Sequence, residues 1–153
     1  TGVQTCALPI WMRVATGELL AFLDADDFWR PGFLAVCTEF MARHPAAAAV
    51  STGGVNKGHD GRERLVPADG NVWRLEPGIL DDFFAFWAKH DHVRTGTVVM
   101  RTEVARRAGG QREDLWISQD LEFWAWLATF GPWGFIPQAL WVGNSRAAAR
   151  TSG

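Results

Sequence analysis

Short apolar runs and helix-spaced apolar stripes alternate along the chain, separated by turn-forming residues. Residues 11–17 read as the end of a helix, with Gly17 in the position that favours a left-handed residue. Glu18 to Leu23 is a short, mostly apolar run of the kind a buried parallel strand presents, and it stops at Asp24, Asp26 and Asp27. Pro31 sits where a helix begins. Phe33, Val36, Cys37, Phe40 and Met41 follow at helical spacing, until His44-Pro45 ends the stripe. Ala46 to Thr52 reads as a strand, and residues 53–76, rich in Gly, Asp, Asn and Pro, as a long surface excursion. Pro77 restarts a helix with Leu80, Phe83, Phe84 and Trp87 on one face. Thr95 to Met100 is predicted as a strand, Thr102 to Ala108 as a short helix, and Gly109-Gly110 as a break. Ser118 is placed to cap a helix from about Gln119 to Phe130, and Trp133 to Trp141 holds a last strand or two. On that last helix Phe123, Trp126, Leu127 and Phe130 share one face and Leu121, Trp124 and Ala128 another, so much apolar surface that the helix is expected to be buried.

Strands alternating with helices predict an α/β layered fold with a mostly parallel sheet flanked by helices. Ligands gather at the carboxyl ends of strands in such sheets, which directs attention to Asp24–Asp27. Three carboxylates in four residues at the end of a buried strand repel one another and lose solvation, and a cation would relieve both costs. Asp24 and Asp26 are two apart and project to the same side if the extended geometry persists. Oxygen ligands of this kind suit Mg²⁺ or Mn²⁺, which commonly take one or two carboxylates plus substrate phosphates. A solvated turn is the plainer reading, with Asp26 or Asp27 merely capping the helix near Pro31.

Composition narrows the class. A chain of 153 residues, 48% hydrophobic, suits one domain. A net charge of −2 gives no basic surface for nucleic acid or an acidic membrane. Nine Trp and ten Phe without a Tyr point to a well-filled aromatic core. No apolar run approaches the roughly 18 residues that span a bilayer. Cys6 and Cys37 make neither a disulfide framework nor a metal cluster, which fits a reducing, cytoplasmic setting, at the inner face of a membrane if other segments bring it there. Residues 1–10 resemble the conceptual translation of a sequencing-library adapter and read as a non-native extension. On that reading residues 11–153 form a single, incomplete catalytic domain.

The segment Ala15-Thr16-Gly17-Glu18-Leu19-Leu20-Ala21-Phe22-Leu23-Asp24-Ala25-Asp26-Asp27-Phe28-Trp29-Arg30-Pro31 resembles a stretch of family 2 glycosyltransferases, inverting enzymes with a GT-A fold, a Rossmann-like nucleotide-diphospho-sugar transferase architecture. The resemblance implies that Asp24 and Asp26 meet a metal and the donor's diphosphate. Thr95-Gly96-Thr97-Val98-Val99-Met100-Arg101 with Ala108-Gly109-Gly110 is similar to the strand and helix before the family's acceptor site. Ser118-Gln119-Asp120-Leu121-Glu122-Phe123-Trp124 resembles its segment carrying the catalytic base, which implies that role for Asp120 and makes Gln119 and Trp124 acceptor-side candidates. Gln119 stands where the family has Glu, and Glu122 where it has Asp. The Arg/His signature that often follows the last strand is not evident in Val142 to Arg146, and the family's opening strand–helix–strand is absent before Trp11.

Asp120 also makes sense physically. In the first turn of a helix the free N–H groups and the dipole favour an ionised carboxylate, which can take a proton from an attacking hydroxyl. A helix-start residue with no further role is the plainer reading. His90-Asp91-His92 lacks a third partner at ligand spacing and reads as a solvated helix end, while His44 and His59 have no evident role. No G-x-S-x-G, G-x-G-x-x-G or P-loop occurs, so a hydrolase at Ser118 or a dinucleotide enzyme has no support.

The expected function is therefore transfer of a sugar, with inversion, from a nucleotide-diphospho-sugar to a hydroxyl on a growing polysaccharide, a lipid-linked glycan or a small molecule. One alternative is an inactive truncated remnant with weak metal or glycan binding. The other is a haloacid-dehalogenase-type phosphotransferase with Asp24 as nucleophile, which Phe28 disfavours because that family has a small residue there.

Overall fold

The computed structural model describes residues 8–109 and 119–144. In chain order the elements are helix α1 (Leu8–Val14), strands β1 (Leu19–Ala21) and β2 (Phe28–Trp29), helix α2 (Phe33–Arg43), strands β3 (Ala49–Lys57) and β4 (Glu63–Val66), and a 3-10 turn at Val72–Arg74. Strand β5 (Gly78–Ile79), helix α3 (Phe83–Lys89), a second 3-10 turn (Thr95–Thr97), strand β6 (Val98–Arg101) and helix α4 (Thr102–Arg107) follow. Helix α5 (Gln119–Leu127) runs into a third 3-10 turn, and strand β7 (Trp133–Asn144) closes the described chain.

The strands form one mixed sheet in the order β1-β6-β3-β7-β2, with β4 paired to β3 and β5 to β7. The α/β class stands, but the mostly parallel sheet does not. Among the described strands only β3 and β7 pair in parallel, and the other five pairings are antiparallel. Two of these involve β6, which enters between β1 and β3 and runs against both, and the other three come from β2, β4 and β5. Strands β1, β3 and β7 still point the same way, so their carboxyl ends share one edge of the sheet, and the Thr95–Thr97 turn that leads into β6 lies at that edge too.

Side chains alternate across the sheet as the two-residue period requires. Val50 and Val99 join Phe33, Cys37, Phe40, Met41 and Ile136 in the core beneath α2. Ala49, Val98 and Met100 face the opposite core with Phe83, Trp124 and Trp133. Arg101 ties β6 to the end of α2: its Nε donates to the Ala47 carbonyl at 2.9 Å and its Nη2 to those of Met41 and His44 at 2.8 and 3.1 Å. A cation at the carbonyl end of α2 is also favoured by the helix dipole.

Several sequence expectations change. Residues 53–76 are no open excursion. Strand β3 continues to Lys57, and β4 returns along it as a hairpin, with Gly54 opposite Val66 and Lys57 opposite Glu63. Helix α3 starts at Phe83, where Asp82 accepts from the Ala85 N–H at 2.9 Å, rather than at Pro77. Asp26 and Asp27 do not cap α2, whose N-cap is Gly32 with φ of 94°. Helix α5 is not buried all round, since Leu121 and Trp126 are 45% and 55% exposed. Nor is the His90–His92 segment a solvated helix end. His92 is completely buried, and Ser51, packed in from β3, holds its ring.

Candidate active site at the carboxyl ends of the sheet

Strand β1 delivers Asp24 to the shared edge, and the chain turns there, with the Asp27 N–H donating to the Asp24 carbonyl at 3.0 Å. Asp24 and Asp26 face solvent, whereas Asp27 is half-buried. Partial burial raises the pKa of the Asp24 carboxyl above its ordinary value, and the charges of Asp27, Asp26 and Asp120 add to that effect, in that order. Asp120, in the first turn of α5, thus lies within electrostatic reach of Asp24 across the fold. The structure brings together Asp24, Asp26 and Asp120, three of the residues singled out in the sequence.

Gln119 opens α5, and its side chain lies outside the described residues, as does Ser118. Trp124 is a correction. Its indole is completely buried, 5.1 Å from the Phe123 ring and 6.5 Å from that of Trp133, so an acceptor at the surface has no access to it. Its place one turn after Asp120 puts the indole under the helix, facing the sheet.

Asp27 has a different task from its two neighbours. Its Oδ2 accepts from Trp141 Nε1 and its Oδ1 from the Asn144 backbone N–H, both at 3.0 Å. The Trp141 ring fills a slot walled by glycines: a Cβ on Gly96 or Gly143 would overlap the indole, and one on Gly54 would meet both the ring and the Trp141 backbone. Trp29, paired with Trp141 between β2 and β7, donates from Nε1 to the Gly96 carbonyl at 2.7 Å and stacks on Phe33 with centroids 4.5 Å apart. Two indoles therefore clamp the Thr95–Thr97 turn beside the acidic one. Sequence reasoning missed this clamp, although Gly54, Gly96 and Gly143 were visible as glycines within or beside strands, a sign of close approach.

Among the described residues no group of three or more His, Cys, Asp or Glu side chains could hold a metal by itself. Asp24 and Asp26 leave two solvent-facing carboxylates, the donor set that Mg²⁺ or Mn²⁺ completes with phosphate oxygens. Burial and, after it, the neighbouring carboxylates both penalise the Asp24 charge, a cost that a cation would offset, so the residues fit such an ion.

The pattern of glycosyl transferase family 2 matches residues 7–107, more than half of the chain. The chain belongs to glycosyl transferase family 2. The family match includes the acidic turn and the Thr95–Arg101 block and ends before Asp120. A crystal structure of residues 1–349 of S. aureus TarS superposes with a TM-score of 0.60 at 15% identity, covering 90% of this chain and 39% of that one. A second crystal structure of S. aureus TarS gives 0.68 at 14% identity, covering 89% and 23%. At such identities the likeness shows the fold alone, the partial GT-A arrangement, and the chain spans less than half the length of these proteins. No curated protein matches the chain. Family 2 membership displaces the phosphotransferase alternative. No helix among the described residues is long and apolar enough to cross a membrane.

Proposed function

We propose that this domain serves an inverting, metal-dependent transfer of a sugar from a nucleotide-diphosphate donor to a hydroxyl acceptor, a glycan, lipid-linked or small-molecule one, on the cytoplasmic side. The observation that carries the reading is the electrostatic coupling of Asp120 to Asp24 at one edge of the sheet. Transfer needs a carboxylate near a cation site but not in it, and these two fill those roles.

Asp120 accepts the proton of the acceptor hydroxyl as that oxygen bonds to the anomeric carbon from the face opposite the leaving group. The bond from that carbon to the diphosphate oxygen breaks, and the electron pair leaves with the diphosphate. Asp24 and Asp26 would hold Mg²⁺ or Mn²⁺, which would supply positive charge to offset that of the departing diphosphate. Asp27 takes no part as a ligand, because both of its oxygens are already engaged by Trp141 and Asn144.

The test is a titration of the chain with Mn²⁺, with and without UDP, followed by Trp fluorescence beside an Asp24→Ala/Asp26→Ala variant. Binding that UDP strengthens and the variant abolishes supports the donor site. Equal binding by a folded variant removes these aspartates from the role.

A further inference from the structure

We propose that Asp27 is a positioning residue that latches the end of β7 onto the acidic turn, so that the last strand as well as β1 sets the placement of Asp24 and Asp26. The inference rests on the cation-site reading of those two aspartates.

Strand β1 is only three residues long and among the described residues pairs with β6 alone. Such a short edge strand cannot by itself hold Asp24–Asp27, which begin after a gap of two residues beyond its end. The turn is fixed from elsewhere. Its own closing bond, Asp27 N–H to the Asp24 carbonyl, ends at the residue whose side chain is bound twice to β7. The Asp27 side chain accepts one indole and one backbone N–H, and a carboxylate acceptor makes each bond stronger than a neutral one would. Trp141 in turn is closely packed, being 6% exposed and enclosed by Gly54, Gly96 and Gly143. A rigid run thus leads from the centre of the sheet through Trp141 to Asp27 and back to Asp24. A third free carboxylate would compete for a cation. One already hydrogen-bonded at both oxygens instead orients its neighbours, as the groups behind metal ligands commonly do.

The experiment uses the full chain with Mn²⁺ alone as probe, comparing wild type, Asp27→Ala, Trp141→Phe and the double variant, with Asp24→Ala/Asp26→Ala as the control for the site itself. Trp141→Phe keeps an aromatic ring in the slot and removes only the N–H. Affinity is expected to fall about 10- to 100-fold in Asp27→Ala, the usual range for losing a partner behind a ligand. Trp141→Phe should fall in the same direction, and the double variant by no more than Asp27→Ala alone. Unchanged affinity in Trp141→Phe beside a loss in Asp27→Ala would make Asp27 a ligand and overturn the latch. A lowered Tm with unchanged affinity in both variants would reduce it to a structural bond and overturn it as well. If wild type binds no Mn²⁺, the cation-site reading is what fails, and amide hydrogen exchange decides the latch. Faster exchange at Asp26 and Asp27 in folded Trp141→Phe upholds it, and unchanged exchange rejects it.

Discussion

Ser51 Oγ lies 2.7 Å from His92 Nδ1, and both residues are completely buried between β3 and α3. Trp133 Nε1 donates to the same hydroxyl at 3.1 Å, so Ser51 Oγ joins the indole to the imidazole. The rings of Phe83, Phe86 and Phe135 surround the imidazole at 5.0 to 5.7 Å. This cage desolvates it, and with a smaller push from His90 the pKa of His92 drops to about 3. A basic group whose folded pKa lies below its unfolded value is protonated preferentially when unfolded. Its contribution is therefore present above pH 6.5 and is lost as pH falls from there toward about 3. The unfolding free energy from urea titrations should decline over that interval by an amount on the order of a few kcal/mol, and a folded His92→Gln variant should decline less steeply. Parallel slopes would show that His92 is not held neutral.

Ser51→Ala removes the acceptor of the Trp133 indole and the partner of His92 in one step. Stranding buried polar groups costs about 1–3 kcal/mol each, so the variant should unfold at clearly lower denaturant than wild type, by equilibrium fluorescence. A neutral result would mean that other groups satisfy both rings.

Asp24 carries the opposite balance. Burial and the charges of Asp27, Asp26 and Asp120 raise its pKa, so its ionisation disfavours the fold above the ordinary carboxylate range, and protonation at lower pH relieves that cost. Asp24→Asn should therefore melt slightly higher than wild type in EDTA at pH 7. With Mn²⁺ added, wild type should gain stability and the variant should not. If the variant melts lower in EDTA, the carboxylate has a stabilising partner that outweighs its neighbours.

Gly96→Ala places a Cβ into the Trp141 indole. The ring is held on its other sides by Gly54 and Gly143, so it has little room to retreat, and a cost of about 1–3 kcal/mol in thermal or denaturant unfolding is expected. A companion Trp141→Phe substitution should recover part of it. Additive losses would show that the overlap is absorbed elsewhere.

Asp120→Asn keeps the shape of the side chain and removes the base. In a preparation that turns over, the rate should fall roughly 10²- to 10⁴-fold with Mn²⁺ still bound. Loss of Mn²⁺ binding instead would put Asp120 among the ligands.

Much of this was legible in the residues. The run ending at Leu23 and the helical stripe from Phe33 to Met41 identified β1 and α2 because burial selects side chains by period. Asp24, Asp26 and Asp120 stood out in the sequence as charge at the ends of elements, and the fold sets Asp120 within reach of the Asp24 charge. What the sequence hid was direction and partnership. Nothing in Val98–Arg101 says that this strand runs against its neighbours, since a strand buried on both faces has the same composition either way. The Gly and Asn of β3 suggested a loop, yet Gly54 is small there because Trp141 presses on it from a distant strand. His92 looked solvated because Ser51, its partner, is far away in sequence. Trp124 looked available beside Asp120, but α5 turns that face to the core.

The glycine-walled seat of Trp141 has a consequence for sequence drift. Positions 96 and 143 face the same indole from different parts of the chain, so neither is free to gain a side chain while that ring stays full-sized. A smaller residue at 141 would release both, but it would also leave the Asp27 carboxylate without its indole donor. Position 27, position 96 and the 141–143 pair, three places far apart in the chain, are thus tied to one another's histories, and a change at one alters what the others tolerate.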